Sequence, residues 1–443
     1  MTIGPGACCL PFALHNTLCT IPAIEATNRR LILVSLAAVL LVGIFLRLPP
    51  SLFSGDGPLH SLSVLHPNPK WHTMGMMGFD EELYREYVEE LSSKGLLHYP
   101  DIVIGYIEKQ LKLPGSILPP VRFLYIFTGY VWHSLFKTDA LASLRDVASF
   151  FNILTLALAA LFAWRVHRSG ECVGVAALVA FAPTQIHMSQ HALVDGFFTF
   201  WALLTLWLLW ENLQAPRKWG WLAGYAVSLA LLVLTKENSF FVWIGIVVVL
   251  VANRWLHYGT VTRELLLATA LGPLLGVVIL VLLAGGADVL LGTYRLLVSK
   301  NYQLPYAIKT GDGPWSRYLV DLLLVSPVVL ILAIGAVFRI DRSKRIELFL
   351  LMFIAGTYLV MCNVKYGMNL RYANMWDVPL RVLALSTIVS LTAWLGRWRH
   401  IVLVAVVVLV CALEFRQYVI LFVRFPLYEL ITELLMRALH ILK

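Results

Sequence analysis

The sequence predicts an all-α polytopic membrane protein with about eleven transmembrane helices and amphipathic juxtamembrane helices in a long first outer loop. Three observations predict it. Of 443 residues, 59% are apolar and only 14% charged, whereas a soluble domain carries roughly a quarter charged residues, so the chain could not cover a water-facing surface with polar groups. The apolar residues gather into runs near the roughly 20 that a bilayer-spanning helix needs. The Lys and Arg fall in the short connections between those runs, as the positive-inside rule distributes them. The net charge of +9 is therefore a matter of topology and calls for no nucleic-acid partner.

Taken in order, residues 1–30 read as a cytoplasmic tail. They carry small, polar and Pro residues with no basic start, which makes a poor signal peptide. The first span, 31–48, follows Arg29-Arg30 and should stay attached as an anchor. Further spans are expected near 146–164, 171–186, 197–211, 219–235, 239–253, 264–284, 318–338, 347–363, 378–396 and 401–422. Residues 121–136 decide the count. This run is short and carries Arg122, Thr128, Tyr130 and His133, a composition suited to the interface. Lying along the interface it leaves eleven spans, with the N-terminus inside; crossing, it makes twelve. A single domain is expected over 31–423, including an outer loop at 49–145, with an amphipathic segment at 424–443. Cys8, Cys9, Cys19, Cys172, Cys362 and Cys411 show no metal-ligand spacing and read as packing residues or free thiols.

The outer loops of the eleven-span arrangement should be poor in base. Lys236, Arg295, Lys300, Lys365 and Arg371 break that rule, and binding a phosphate would account for them. Lys365 and Arg371 stand six residues apart at one boundary, where an Arg supplies a bidentate fork. The same outer side holds the pair Asp80-Glu81, at the start of a helix whose Leu83, Tyr84, Tyr87, Val88 and Leu91 form an apolar stripe expected to lie on the bilayer surface. Gly95 is the expected stop. An Asp before a helix is also an ordinary N-cap, so capping and function stand level from composition alone. A second polar group runs from Pro183 to Asp195 and includes His187 and His191. Polar clusters at membrane depth line cavities, while the plainer alternative is a cap for a helix starting at Gly196. His187 and His191 have i,i+4 spacing, but no HExxH accompanies them, and no metal site is assigned. Lys236-Glu237 fits either a local ion pair with snorkelling or a role in the site.

These pieces in this order resemble the GT-C glycosyltransferases that use a polyprenyl-phosphate sugar, in the protein O-mannosyltransferase and aminoarabinose-transferase branch. The resemblance is carried by Phe79-Asp80-Glu81-Glu82-Leu83-Tyr84, by Pro119-Pro120-Val121, by Pro183 to Asp195, by Thr235-Lys236-Glu237, and by Lys365, Arg371, Tyr372 and Pro379. It covers residues from about 31 to 396. Gln190 stands where a basic residue is expected, Val121 stands in the third position of the PPL-type element, and no WWD motif is present.

The resemblance implies transfer of a monosaccharide from a polyprenyl-phosphate donor to a protein, lipid or glycan acceptor, with inversion, on the outer face of the membrane; the compact length and short loops point to a bacterial plasma membrane. It implies Asp80 as base, with Glu81 positioning acceptor or sugar. Arg371 and Lys365 would hold the donor phosphate, with Lys236, Arg295 and Arg122 as further candidates. His187, His191, Asp195, Glu237 and Tyr372 would line the sugar or acceptor pocket. No nucleotide-binding loop is present, in keeping with a lipid donor; no cofactor is assigned, and a divalent metal stays open. A transporter or flippase of a lipid or amphiphile is the competing class. It predicts inverted repeats, and the sequence shows no such symmetry.

Overall fold

The computed structural model describes residues 23–53, 57–63, 78–167, 170–424 and 428–439, and among them there is no strand. The expected tail and its three cysteines lie almost wholly outside the described residues. The helices are α1 (Ala23–Arg47), α2 (Gly78–Lys94), α3 (Tyr99–Lys112), α4 (Phe123–Phe136), α5 (Ala140–His167), α6 (Glu171–Ala180), α7 (Pro183–Ser189), α8 (Val194–Gln214), α9 (Trp219–Thr235), α10 (Ser239–Leu256), α11 (Arg263–Ala284), α12 (Ala287–Asn301), α13 (Pro305–Gly311), α14 (Arg317–Val325), α15 (Pro327–Val337), α16 (Arg345–Met361), α17 (Asp377–Thr392), α18 (Arg399–Tyr418) and α19 (Tyr428–Ala438).

The chain is an integral membrane protein, but the structure supports a coarser count than eleven spans. Among the described residues six segments are long and apolar enough to cross a bilayer: Arg29–Arg47, Ala140–Val166, Val194–Gln214, Ser239–Leu256, Arg263–Ala284 and Asn374–Arg424. The last is broken at Gly396, whose φ of 52° interrupts the helix, so α17 and α18 pack against each other. The expected span 171–186 is a pair, α6 and α7, bent by 58°. The expected span 318–338 is interrupted before Pro327, where the ring removes a donor. The 14 residues of α4 reach only about 21 Å at the helical rise, short of the roughly 30 Å hydrocarbon core.

One large core joins α1, α5 to α11 and α14 to α18. In it α11 packs closely on α9, where a Cβ on Gly272 or Gly276 would meet the carbonyl oxygens of Ala226 and Ala230 at 2.9 and 2.7 Å. Gly272 and Gly276 thus form a small-residue face that lets two backbones meet.

A second core corrects the expected placement of α2. Leu83, Tyr84, Tyr87, Val88 and Leu91 do not face lipid; all are buried with Tyr99, Ile102, Val103, Tyr106 and Ile126 from α3 and α4. The stripe is a protein-packing face because two further amphipathic elements of the same loop supply its partners. Gly95 does end α2, with φ 81°, a conformation that glycine adopts without a Cβ penalty.

Candidate active site

Packing α2 inward fixes the acidic pair in two different surroundings. Asp80 lies in the first turn of α2, two residues inside it, so it is not the N-cap that composition allowed. Its Oδ2 accepts from Arg371 Nη2 at 3.0 Å, and its side chain is 24% exposed. Glu81 points the other way. Arg145 of α5 donates to it from Nε at 3.1 Å and Nη2 at 2.8 Å, and the Ala192 N–H donates at 2.7 Å. His191 Nδ1 stands 3.6 Å away. Burial alone would push this carboxyl up; His191 and Arg145 outweigh that and hold it well below the usual carboxylate range.

Asp195 is the second residue of α8, whose N-cap is Leu193, so it lies inside the helix and does not cap one starting at Gly196. Its carboxylate joins two cations from distant parts of the chain. Lys236 donates to Oδ1, and Arg371 donates to Oδ2 from Nε at 3.3 Å and Nη2 at 3.2 Å. Asp195 and Lys236 are each 1% exposed. Lys236 therefore pairs with Asp195 and not with its neighbour Glu237; the ammonium also sits 4.1 Å from the Tyr372 ring centre. Burial pulls the Lys236 ammonium below the usual lysine range, with Asp195 opposing. Glu237 is taken by Arg122, which donates to it from Nε at 3.1 Å and from Nη2. Arg122 also donates to the Tyr84 hydroxyl at 2.7 Å.

The loop delivering Arg122 is held from below. Tyr87 donates to Leu118 O at 2.7 Å and Tyr99 to Pro120 O at 2.6 Å, while Gln110 donates to Gly115 O and accepts from the Ile117 N–H, both at 2.8 Å. Tyr87 belongs to the stripe that periodicity assigned to lipid, and Tyr99 to the helix packed against it.

Asp80, Arg122, His187, Glu237, Lys365, Arg371 and Tyr372 line one cavity of about 540 Å³. Its other wall is largely apolar and comes from α12, α13 and the turn before Tyr366, with Leu297, Val298, Tyr302 and Leu304 among its residues. Lys365 is exposed, with its ammonium 5.0 Å from the Tyr366 ring centre. Asp195 and Lys236 stand directly behind Arg371. His187 reaches the cavity, and its ring lies 4.7 Å from that of His191, so His191 links the cavity wall to Glu81. Arg295 is the expected phosphate ligand that the structure keeps away: it is exposed on α12, beside a shallow groove with Leu291 and Tyr294. Val298 and Tyr302 line both that groove and the cavity, whereas Arg295 lines only the groove. Among the described residues no group of three or more His, Cys, Asp or Glu is arranged to hold a metal ion.

Sequence reasoning missed Arg145 and Tyr84 as partners, although both were readable as a buried-side Arg near a span start and an aromatic one turn after Asp80. It also missed a buried polar network beneath the site, described below.

Residues 121–287 match the family model for dolichyl-phosphate-mannose-protein mannosyltransferase. Apo ArnT from Cupriavidus metallidurans is similar at 15% identity, covering 83% of this chain and 64% of that one, with a TM-score of 0.48. The apo oligosaccharyltransferase of Archaeoglobus fulgidus is similar at 12% identity over 92% of this chain and 56% of that one, TM-score 0.56. Archaeoglobus fulgidus AglB in complex with an inhibitory peptide and a dolichol-phosphate is similar at 14% identity over 88% and 55%, TM-score 0.53. The chain thus spans between about half and two thirds of the length of these relatives. No curated protein matches it. The family match and the shared helical fold bear out the resemblance to GT-C glycosyltransferases that the motifs carry.

Proposed function

We propose that this protein transfers a monosaccharide from a polyprenyl-phosphate donor to an acceptor hydroxyl, with inversion, on the outer side of the membrane. The observation that carries the proposal is the contact between Asp80 and Arg371 at 3.0 Å in a cavity that also holds Arg122 and Lys365. A carboxylate base and fixed cations for a phosphate leaving group converge there. AglB, one of the similar structures, was solved with a dolichol-phosphate, in keeping with a lipid-phosphate ligand for this fold.

In the proposed reaction the acceptor oxygen attacks the anomeric carbon from the face opposite the phosphate. The C1–O bond to phosphate breaks, and its electron pair leaves with the polyprenyl phosphate. The acceptor proton passes to Asp80. Inverting glycosidases use the same arrangement with water as acceptor, and a positioned carboxylate contributes by accepting the proton as it is lost. Arg371, Arg122 and Lys365 neutralise the leaving phosphate in a site of low dielectric, where fixed charges act most strongly. Asp195 and Lys236 hold Arg371 in place, and Glu237 with Tyr84 holds Arg122. Glu81 orders the 190–193 turn, and His187 and Tyr372 contribute the wall against which sugar or acceptor rests.

The test is direct. Purified protein incubated with polyprenyl-phosphate mannose and candidate acceptors should release polyprenyl phosphate, and the Asp80→Asn variant should not. Donor flipping across liposomes without hydrolysis or transfer would favour the transporter class.

A further inference from the structure

At the bend between α6 and α7 the last carbonyls of α6 lose their regular helical donors, Val179 O keeping only the Ala182 N–H at 3.2 Å, and inside a membrane protein such groups need protein partners. Two buried arginines supply them. Arg47 donates from Nη2 to Val179 O at 2.7 Å and from Nη1 to Ala180 O at 2.8 Å, and Arg381 donates from Nε to Leu178 O at 2.8 Å.

Arg47 also sets a direction. A guanidinium has no acceptor, so Asn152 must turn Oδ1 toward Arg47 Nε, at 2.6 Å. Asn152 Nδ2 then donates to Gln185 Oε1 at 3.0 Å, and Gln185 Nε2 donates to Asn374 Oδ1 at 2.7 Å. Each amide is oriented by the one before it. The run ends with one donor left over, Asn374 Nδ2. That nitrogen is buried and makes no hydrogen bond, and the same is true of Asp377 Oδ2. The other oxygen of Asp377 accepts from Arg381 Nη1 at 2.6 Å and from Thr184 Oγ1 at 3.3 Å. Asn374 and Asp377 line one small void of about 10 Å³, together with Thr184 and Ser326.

We propose that a single buried water occupies this void, accepting from Asn374 Nδ2 and donating to Asp377 Oδ2, and that the completed chain from Arg47 to Arg381 positions the loop carrying Arg371. The void has about the volume that one water requires, and a buried water needs two or more polar partners. The leftover donor and the leftover acceptor have opposite sense, which one water satisfies together. A cation does not fit: an amide N–H faces the void, and Arg381 already neutralises the carboxylate. The Ser326 hydroxyl donates to Glu414 at 2.8 Å and retains acceptor capacity for the second hydrogen. Leu370 and Ala373 line the same void, so Arg371 lies between two residues whose positions the water fixes. Gln185 belongs to α7, which also carries His187 into the main cavity.

Two measurements test this. A map of the full chain at a resolution that shows ordered solvent should contain one peak within hydrogen-bond distance of Asn374 Nδ2 and Asp377 Oδ2; a void without a peak overturns the proposal. The second uses Asn374→Asp, Asp377→Asn and the double variant. Asn374→Asp adds a second carboxylate with no new cation, and Asp377→Asn leaves Arg381 with Glu414 alone. The double variant keeps the charge and leaves one donor and one acceptor facing the void in exchanged places.

Each single variant should lower thermal stability and raise donor KM about tenfold with little change in kcat, and the double variant should return KM to within about threefold. A double variant as impaired as the worse single, or one that alone fails to fold, overturns the positioning role. The KM readout rests on the proposed donor reading. Wild-type protein that releases no polyprenyl phosphate would sink that reading, while the order of stabilities in donor-free detergent would still decide the network.

Discussion

Asp80 and Glu81 are adjacent, equally acidic and on the same helix, yet their isosteric amides should fail in opposite ways. Glu81→Gln keeps an acceptor for the Ala192 N–H but loses the charge and one of the two guanidinium contacts from Arg145. Hydrogen bonds to charged groups contribute about 1.5–3 kcal/mol, and breaking a buried pair costs about 3–5 kcal/mol. Arg145 is 32% exposed and regains water when released, so the net loss is nearer about 2–3 kcal/mol. Asp80→Asn keeps an acceptor for Arg371, and the pair it weakens is partly open to solvent, so its stability cost is below about 1 kcal/mol. Its rate should instead fall by about 10²–10⁴-fold through loss of the base. Thermal unfolding in detergent, read alongside initial rates of polyprenyl phosphate release, separates the two. An Asp80→Asn protein that turns over at near wild-type rate, or a Glu81→Gln protein that melts with the wild type, would refute the division of labour.

The remaining predictions concern pH, the phosphate fork and packing. The folded state holds the Glu81 carboxyl below its ordinary value, so its contribution is fully present above about pH 4.3 and is lost as pH falls toward the depressed folded value. The melting-temperature gap between wild type and Glu81→Gln should be constant from neutral pH to about 5 and narrow on further acidification. Arg371→Ala should raise donor KM more than Arg371→Lys does, because an ammonium keeps the charge but not the fork; equal effects in a donor titration would argue against a bidentate contact. Gly276→Val should separate α9 from α11, costing about 1–3 kcal/mol, since its Cβ would meet Ala230 O at 2.7 Å; unchanged melting would show that the helices have room to part.

What the sequence made legible was residue type at a boundary. Asp80, Lys236, Glu237, Arg371 and Asp195 each stood out because charge beside a membrane is expensive, and the structure brings all of them to one locality. It did not make pairing legible. Lys236 and Glu237 are chain neighbours, so a local ion pair was the natural expectation; the end of α9 instead sends the lysine to Asp195 and the glutamate to Arg122. The stripe on α2 misled for a related reason. Leu83, Tyr84, Tyr87, Val88 and Leu91 have the periodicity of a lipid-facing helix, and periodicity does not say whether the apolar neighbour is lipid or protein. Only the fold of α3 and α4 over the same surface decides it. Arg47 and Arg381 were hidden inside apolar runs because each is satisfied by carbonyls of a bent helix, and a bend is not visible in hydropathy.

The pairing has a consequence for how the site would work. Asp80, Asp195 and Glu237 balance Arg122, Lys236 and Arg371, so without substrate these paired groups are closed on one another and Lys365 is the cavity cation outside the set. Asp195 is buried and keeps hold of Arg371 through Nε and Nη2, whereas Asp80 is the more exposed partner and shares only Nη2. A phosphate entering the cavity therefore competes with Asp80 for Arg371 more easily than with Asp195. Taking that bond leaves the guanidinium anchored from behind and frees an Asp80 lone pair beside the sugar. In the proposed reaction, donor binding and release of the base are then one event, and a second cation behind Arg371 is needed because the arginine must change partners without moving.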